Sequence, residues 1–214
     1  MVGIKLVNVC KSFCVDGNKF SVLKGINLDI PQNKTTVILG KSGCGKTTIL
    51  RIVGGLESVD EGKVIFNKDY KRAFVFQEAR LMPWLNVWNN VIFGLKNEEI
   101  DNNKIQRIIN MASLSGFEHV YPYQLSGGMK QRTSIARAFA YNPSFIMMDE
   151  PFAALDYFTR KQMQEELIKL QIKQNMSILF VTHSIDEALL IGHKIVIVED
   201  GGIKDEFELD KDCN

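Results

Sequence analysis

Gly40-Lys41-Ser42-Gly43-Cys44-Gly45-Lys46-Thr47 is the stretch on which the fold of this chain turns. It follows the apolar run 35–39, which reads as a strand, and leads into residues 48–53, which read as a helix. Every fixed position of G-x-x-x-x-G-K-[ST] is filled, in the strand–loop–helix context that the motif demands. The chemistry is a phosphate cradle. Its glycines let backbone N–H groups curl around phosphate oxygens with no Cβ in the way. The helix start, at Thr48, turns its positive dipole end toward the same anion. Lys46 is placed to reach the β- and γ-phosphates, and the Thr47 hydroxyl to ligate Mg2+.

Outward from the cradle, strand-like runs lie at 4–9, 22–30, 64–66 and 73–76, with Glu61-Gly62 as a turn signal. From about residue 77 to 141 the character changes. Ile105, Ile108, Ile109 and Ala112 recur at helical spacing among polar residues. The runs 145–148 and 178–181 are short and wholly apolar, as strands buried on both faces of a parallel sheet are. A polar helix is expected at 159–174 between them. Residues 194–209 read as a hairpin about Glu199-Asp200-Gly201-Gly202, followed by an acidic stub ending at Asn214. The picture is one α/β domain: a nucleotide-binding core from 1–76 and 142–214, interrupted by a helical insertion at about 77–141.

Composition excludes several classes. Twenty-six Lys and Arg against 25 Asp and Glu give a net charge of +1, so nothing argues for wrapping nucleic acid. No apolar run reaches the roughly 18 residues of a membrane-spanning helix. Met1-Val2-Gly3-Ile4-Lys5-Leu6 lacks the basic segment and apolar stretch of a secretory signal. Cys10, Cys14, Cys44 and Cys213 form no CxxC pair and no metal-ligand spacing with the three histidines. They are expected to be reduced thiols. Any membrane role must therefore come through a partner.

Two further segments carry chemistry. Residues 145–148 form an apolar strand that delivers Asp149 and Glu150 at its carboxyl end, where ligands of parallel sheets sit. Adjacent acids there are costly unless a cation holds them. Asp149 suits a nucleotide-bound Mg2+, and Glu150, pointing the other way, suits polarising an attacking water. Leu125-Ser126-Gly127-Gly128-Met129-Lys130-Gln131-Arg132 opens a helix running to about Tyr141. A serine and two glycines at a helix start make a second anion site. Two γ-phosphate sites in one chain serve two nucleotides if copies associate head to tail, each cradle capped by Ser126, Gly127 and Gly128 of the other.

With its neighbours, this segment resembles the signature sequence of the ATP-binding cassette ATPases, and the resemblance covers nearly the whole chain in the family's order. It implies a P-loop NTPase core with a mostly parallel sheet, an N-terminal antiparallel β subdomain and an inserted helical subdomain. It implies ATP as substrate and Mg2+ as cofactor, bound by Gly40, Lys41, Ser42, Gly43, Cys44, Gly45, Lys46, Thr47 and Thr48. Phe13 matches the aromatic that stacks on adenine; a core phenylalanine is the other reading. Gln77 matches the glutamine that contacts Mg2+ and the water and senses the membrane partner. Ala154-Leu155-Asp156 matches the loop that touches the opposite subunit, and His183 the histidine that bonds the γ-phosphate. Met129 departs from the family's most common signature, which has Gln; it borders the cap rather than forming it.

Leu81-Met82-Pro83-Trp84 followed by Asn86-Val87 looks like the nitrate/sulfonate/taurine importer group. Leu81, Met82, Trp84 and Trp88 either fill the helical lobe's own core or dock a partner. The resemblance implies a peripheral subunit on the cytoplasmic face of a membrane, working with a second copy, permease subunits and, indirectly, a solute-binding protein. An exporter or another transporter is the alternative. A small-molecule kinase would share the cradle but has no reason to keep the signature helix or His183. The stop at Asn214 leads to the expectation that no regulatory domain is appended.

Overall fold

The computed structural model describes residues 1–210; Cys213 and the end of the acidic stub lie outside them. Three strands form an antiparallel sheet in the order β2-β1-β4: β1 (Val2–Val15), β2 (Asn18–Pro31) and β4 (Glu61–Phe66). Asp16 and Gly17, both at positive φ, join β1 to β2 as the Asp-Gly turn that right-twisted hairpins favour. Both strands run well beyond the apolar stretches 4–9 and 22–30, because ladder pairing continues through polar residues.

The second sheet has six strands: β3 (Thr35–Leu39), β5 (Arg72–Val75), β6 (Phe145–Asp149), β7 (Ser177–Thr182), β8 (Lys194–Glu199) and β9 (Gly202–Glu208). Their order is β5-β6-β7-β3-β8-β9, parallel except for the edge strand β9. Helix α1 (Lys46–Val53) follows β3, and α5 (Tyr157–Gln174) and α6 (Ile185–Ile191) flank β7 in sequence. Between β5 and β6 lies the helical insertion: α2 (Val87–Ile92), α3 (Asn102–Met111) and α4 (Gly127–Ala140).

The period of two along the strands divides the interior into two cores. Phe145 and Met147, Leu179 and Val181, and Ile38 face α1 and the antiparallel sheet. Ile146 and Met148, Ile178 and Phe180, and Val37 face α5, α6 and the helical lobe. Apolar demand on both faces explains why 145–148 and 178–181 show no alternation in sequence.

The segment after Gln77 is divided between its two expected fates. Leu81 and Trp88 pack against the lobe's core, whereas Trp84 is 69% exposed. No helix begins until Val87. The intervening loop is held by Asn90, a wholly buried side chain that sequence patterning does not single out. Its Oδ1 accepts from the Met82 N–H at 2.8 Å, and its Nδ2 donates to the carbonyls of Met82 (3.1 Å), Leu85 (2.8 Å) and Asn86 (3.1 Å). Removing that amide takes the bonding partner from the part-buried Met82 N–H and Leu85 carbonyl, each at a cost of roughly 1–3 kcal/mol. Asn90→Ala is therefore expected to destabilise the fold by about 2–4 kcal/mol in urea denaturation.

Candidate nucleotide site

The cradle lies at the carboxyl end of β3. Gly43 and Gly45 take φ of 81° and 105°, a left-handed region that strains any residue with a Cβ. A Cβ on Gly40 would meet the Val198 carbonyl oxygen and come within 2.8 Å of the Cys44 sulfur. At Gly40 the loop is thus pressed onto the end of β8 with no room for a side chain. Helix α1 starts at Lys46 with no side-chain cap and no acid in its first turn. Its leading N–H groups therefore keep their pull on an anion. Lys46 is 5% exposed, and its Nζ donates to the carbonyls of Gly40 and Lys41, both at 2.8 Å. No carboxylate among the described residues forms an ion pair with it, so its positive charge is left to the cradle.

Asp149 ends β6, 5% exposed, and its Oδ1 accepts from the Thr47 hydroxyl at 3.0 Å. Burial pushes its carboxyl above the usual range; Thr47's hydrogen bond opposes this, and the neighbouring Glu150 charge adds to it. A carboxylate whose burial is so poorly compensated, beside a hydroxyl and a phosphate cradle, fits a divalent cation. Thr47 and Asp149 are the residues that would hold Mg2+, with Gln77 across the cleft.

Glu150 sits at φ 43°, strained for a residue with a Cβ, as residues over-determined by a functional site often are. Its N–H donates to the Val181 carbonyl at 3.0 Å, and its Oε2 lies 3.2 Å from His183 Nδ1. Glu150 lines a cleft of about 380 Å³ together with Lys46, Thr47 and Gln77. Thus Lys46, Thr47, Gln77, Asp149, Glu150 and His183 converge from four segments.

The His183 loop has support that motif reading misses. Glu187, 8% exposed, accepts from the Thr182 hydroxyl at 2.6 Å and from Gln164 Nε2 at 3.1 Å. Ser184 caps α6 by accepting from the Glu187 N–H at 3.3 Å, and the Ser184 N–H donates to Thr182 Oγ1 at 3.1 Å. The available signal was Ser184-x-x-Glu187, a capping-box pattern.

Phe13 lies on β1 directly opposite Phe20 on β2. It is Phe20, with Val22 and Lys24, that lines the larger cleft of about 1280 Å³ running onto residues 40–44; Phe13 does not line it. Cross-strand partners share a face, so the two side chains stand on the same side of the hairpin. The Asp16-Gly17 turn was the signal that could have brought Phe20 into the reading.

Ser126 caps α4 by accepting from the Met129 N–H at 3.2 Å. Ser126 and Gly127 are exposed, and a Cβ on Gly127 would meet nothing within 4 Å. One on Gly128 would lie 3.3 Å from the Ala154 carbonyl oxygen, so this turn abuts the loop Ala154-Leu155-Asp156. Asp156 in turn caps α5, accepting from the Thr159 N–H at 3.1 Å. None of the residues lining the two cradle clefts comes from 126–128. The structure leaves this turn apart from the cradle of its own chain.

Comparison with known proteins places this geometry. The ABC transporter family model matches residues 23–153. An uncharacterized ABC transporter ATP-binding protein of Methanocaldococcus jannaschii is 45% identical over 98% of this chain and 83% of its own length. An aliphatic sulfonates import ATP-binding protein of Bacillus thuringiensis is 39% identical over 91% of this chain and 80% of its own. Among solved structures, a dimeric post-hydrolysis state of the ATP-binding cassette MJ0796, bound to ADP and Pi, superposes with a TM-score of 0.87. It is 34% identical, covering 97% of this chain and 99% of that one. With its cradle, its acidic pair and its exposed signature turn in the family's arrangement, the chain belongs to the ABC transporter family, as one of its ATP-hydrolysing cassettes.

Proposed function

We propose that this chain powers solute import by closing, with a second copy of itself, around two ATP molecules. The observation that carries the reading is the separation of Ser126, Gly127 and Gly128 from the cradle of the same chain. An exposed, capped, side-chain-free helix start is an anion site in want of an anion. A head-to-tail second copy supplies one, because each cradle offers a γ-phosphate that its own chain does not cover.

Within each composite site, residues 40–48 hold the phosphates through backbone N–H groups, the α1 dipole and Lys46. To reach a phosphate, Lys46 exchanges its two loop carbonyls for charged oxygens, a gain that stronger charge-assisted bonding supports. The base is assigned to the aromatic side of this hairpin, with Phe20 on the cleft wall and Phe13 its cross-strand partner. Mg2+, when bound by Thr47 and Asp149 with Gln77, supplies neutralisation of phosphate charge. Glu150 is the general base: its Oε2 and His183 Nδ1 are already within hydrogen-bond reach, so the imidazole fixes the direction in which the carboxylate accepts a proton from water. His183 also bonds the γ-phosphate, and Gln77 orients the water from the opposite wall.

Closure is passed on through residues 77–88. Trp84 stands out from this face at 69% exposure, suited to a permease subunit. No helix among the described residues is long and apolar enough to cross a membrane, so the permease is assigned to separate subunits, with this chain bound at their cytoplasmic face. A solute-binding protein acts indirectly, and no nucleic acid takes part. The solute is assigned to the nitrate/sulfonate/taurine class, supported by residues 81–88 and by relatives named for aliphatic sulfonates import. Uptake assays of vesicles carrying the cognate permease, with sulfonate, nitrate, polyamine and sulfate as competing solutes, test that assignment. A preference for polyamine would remove it.

Glu150→Gln is expected to keep ATP binding and lose about a hundredfold or more in hydrolysis. It should run as an ATP-dependent dimer on size exclusion, where the parent protein does not; near-normal turnover would overturn the choice of base.

Cys44 gives an independent check on occupancy. Its thiol lies inside the cradle, half-buried against Gly40. Maleimide should label it in the free protein, and saturating ATP should slow labelling about tenfold or more, whereas Cys14 on the hairpin should react equally in both. Equal labelling of Cys44 with and without ATP would contradict nucleotide binding in this loop.

A further inference from the structure

Helix α4 holds more than the capped turn at its start. Gln131, 2% exposed, donates from Nε2 to the Phe76 carbonyl at 3.0 Å. Further along, Arg137 donates from Nη1 to the Arg80 carbonyl at 3.1 Å and from Nη2 to the Ala79 carbonyl at 3.2 Å. These three carbonyls bracket Gln77, which faces Lys46, Thr47 and Glu150 in the cleft. The Arg80 guanidinium folds back to 4.1 Å from the Phe76 ring centroid and closes the loop around Gln77.

Arg137 is partly buried and has no ion-pair partner among the described residues; burial holds its pKa below the usual value. A desolvated cation with no carboxylate depends on the carbonyls that it touches. Arg132, from the same helix, donates to the carbonyls of Ala112 (2.9 Å) and Ser113 (2.6 Å), just past the end of α3. Side chains of α4 thus grip both the lobe on one side and the Gln77 loop on the other.

We propose that Gln131 and Arg137 are positioning residues for Gln77, making its backbone travel with α4. The helix that presents Ser126 to a partner's nucleotide thereby sets Gln77 in the cradle of its own chain. Each site is informed of the other through one rigid helix. The proposal rests on the head-to-tail dimer and on the role of Gln77 described above.

The test is a double-mutant cycle on the whole chain: Gln77→Ala, Arg137→Ala and both together, read by steady-state ATP hydrolysis. Displacement of a catalytic group is costly, so Arg137→Ala should lower kcat about tenfold or more with KM within about twofold. The double variant should be no slower than Gln77→Ala alone, because Arg137 acts through Gln77. In a Glu150→Gln background, Arg137→Ala should still give the ATP-bound dimer, which a collapsed lobe would not. Arg137→Lys, able to bond one of the carbonyls, should recover part of the loss. Additive losses, an unchanged kcat, or loss of the dimer overturns the proposal. Gln77→Ala with parental turnover removes the role of Gln77 itself and the clamp with it, and that arm is read without touching Arg137. If circular dichroism shows Arg137→Ala unfolded, Gln131→Ala, which loses a single neutral hydrogen bond, is put through the same cycle and decides.

Discussion

The site depends on the register of one strand. β3 lies between β7 and β8, with Ile38 opposite Val181 and Leu39 opposite Thr182. Val181 is in turn opposite Asp149 on β6. One row of pairing across three parallel strands therefore brings the cradle, the acidic pair and His183 to the same end of the sheet. Because side chains alternate faces, a slip of one residue would turn Asp149 and Met148 to the wrong sides. The two apolar cores forbid that slip, since Phe145 and Met147 must face one and Ile146 and Met148 the other.

Charge within the site is arranged around that row. Lys46 is buried with only carbonyl partners, and Asp149 is buried with a hydroxyl. Neither forms a direct ion pair with the other. A direct pair would neutralise both charges; as they stand, the ammonium and the carboxylate are each left open to a ligand of opposite charge. The strained backbone of Glu150 belongs to the same arrangement: its N–H is tied to Val181 while its side chain is turned toward His183.

The helical lobe follows a different logic from the core. Its loops are held by polar side chains reaching backbone carbonyls: Asn90 on 82–86, Gln131 and Arg137 on 76–80, Arg132 on 112–113. Apolar packing is indifferent to direction, whereas a hydrogen bond to a carbonyl sets a distance and an angle. A loop that must be placed accurately without strand or helix ladders has that means available, and α4 supplies most of it.

By itself, the sequence determined the cradle, the acidic pair, the capped signature turn and the α/β class, because each is encoded in contiguous residues whose chemistry is local. Glycines at 40, 43 and 45 serve a single short loop, and the apolar run 145–148 declares a strand buried on both faces wherever it is placed. Only the tertiary structure decided what those pieces do together. It placed Phe20 rather than Phe13 on the cleft wall, sent Trp88 inward and Trp84 outward, and gave Asn90, Glu187, Gln131 and Arg137 their partners. It also held Ser126, Gly127 and Gly128 away from the cradle of their own chain. Those outcomes depend on which surfaces the folded chain brings together, and a polar side chain's partner is set by the packing of its neighbours rather than by its own identity.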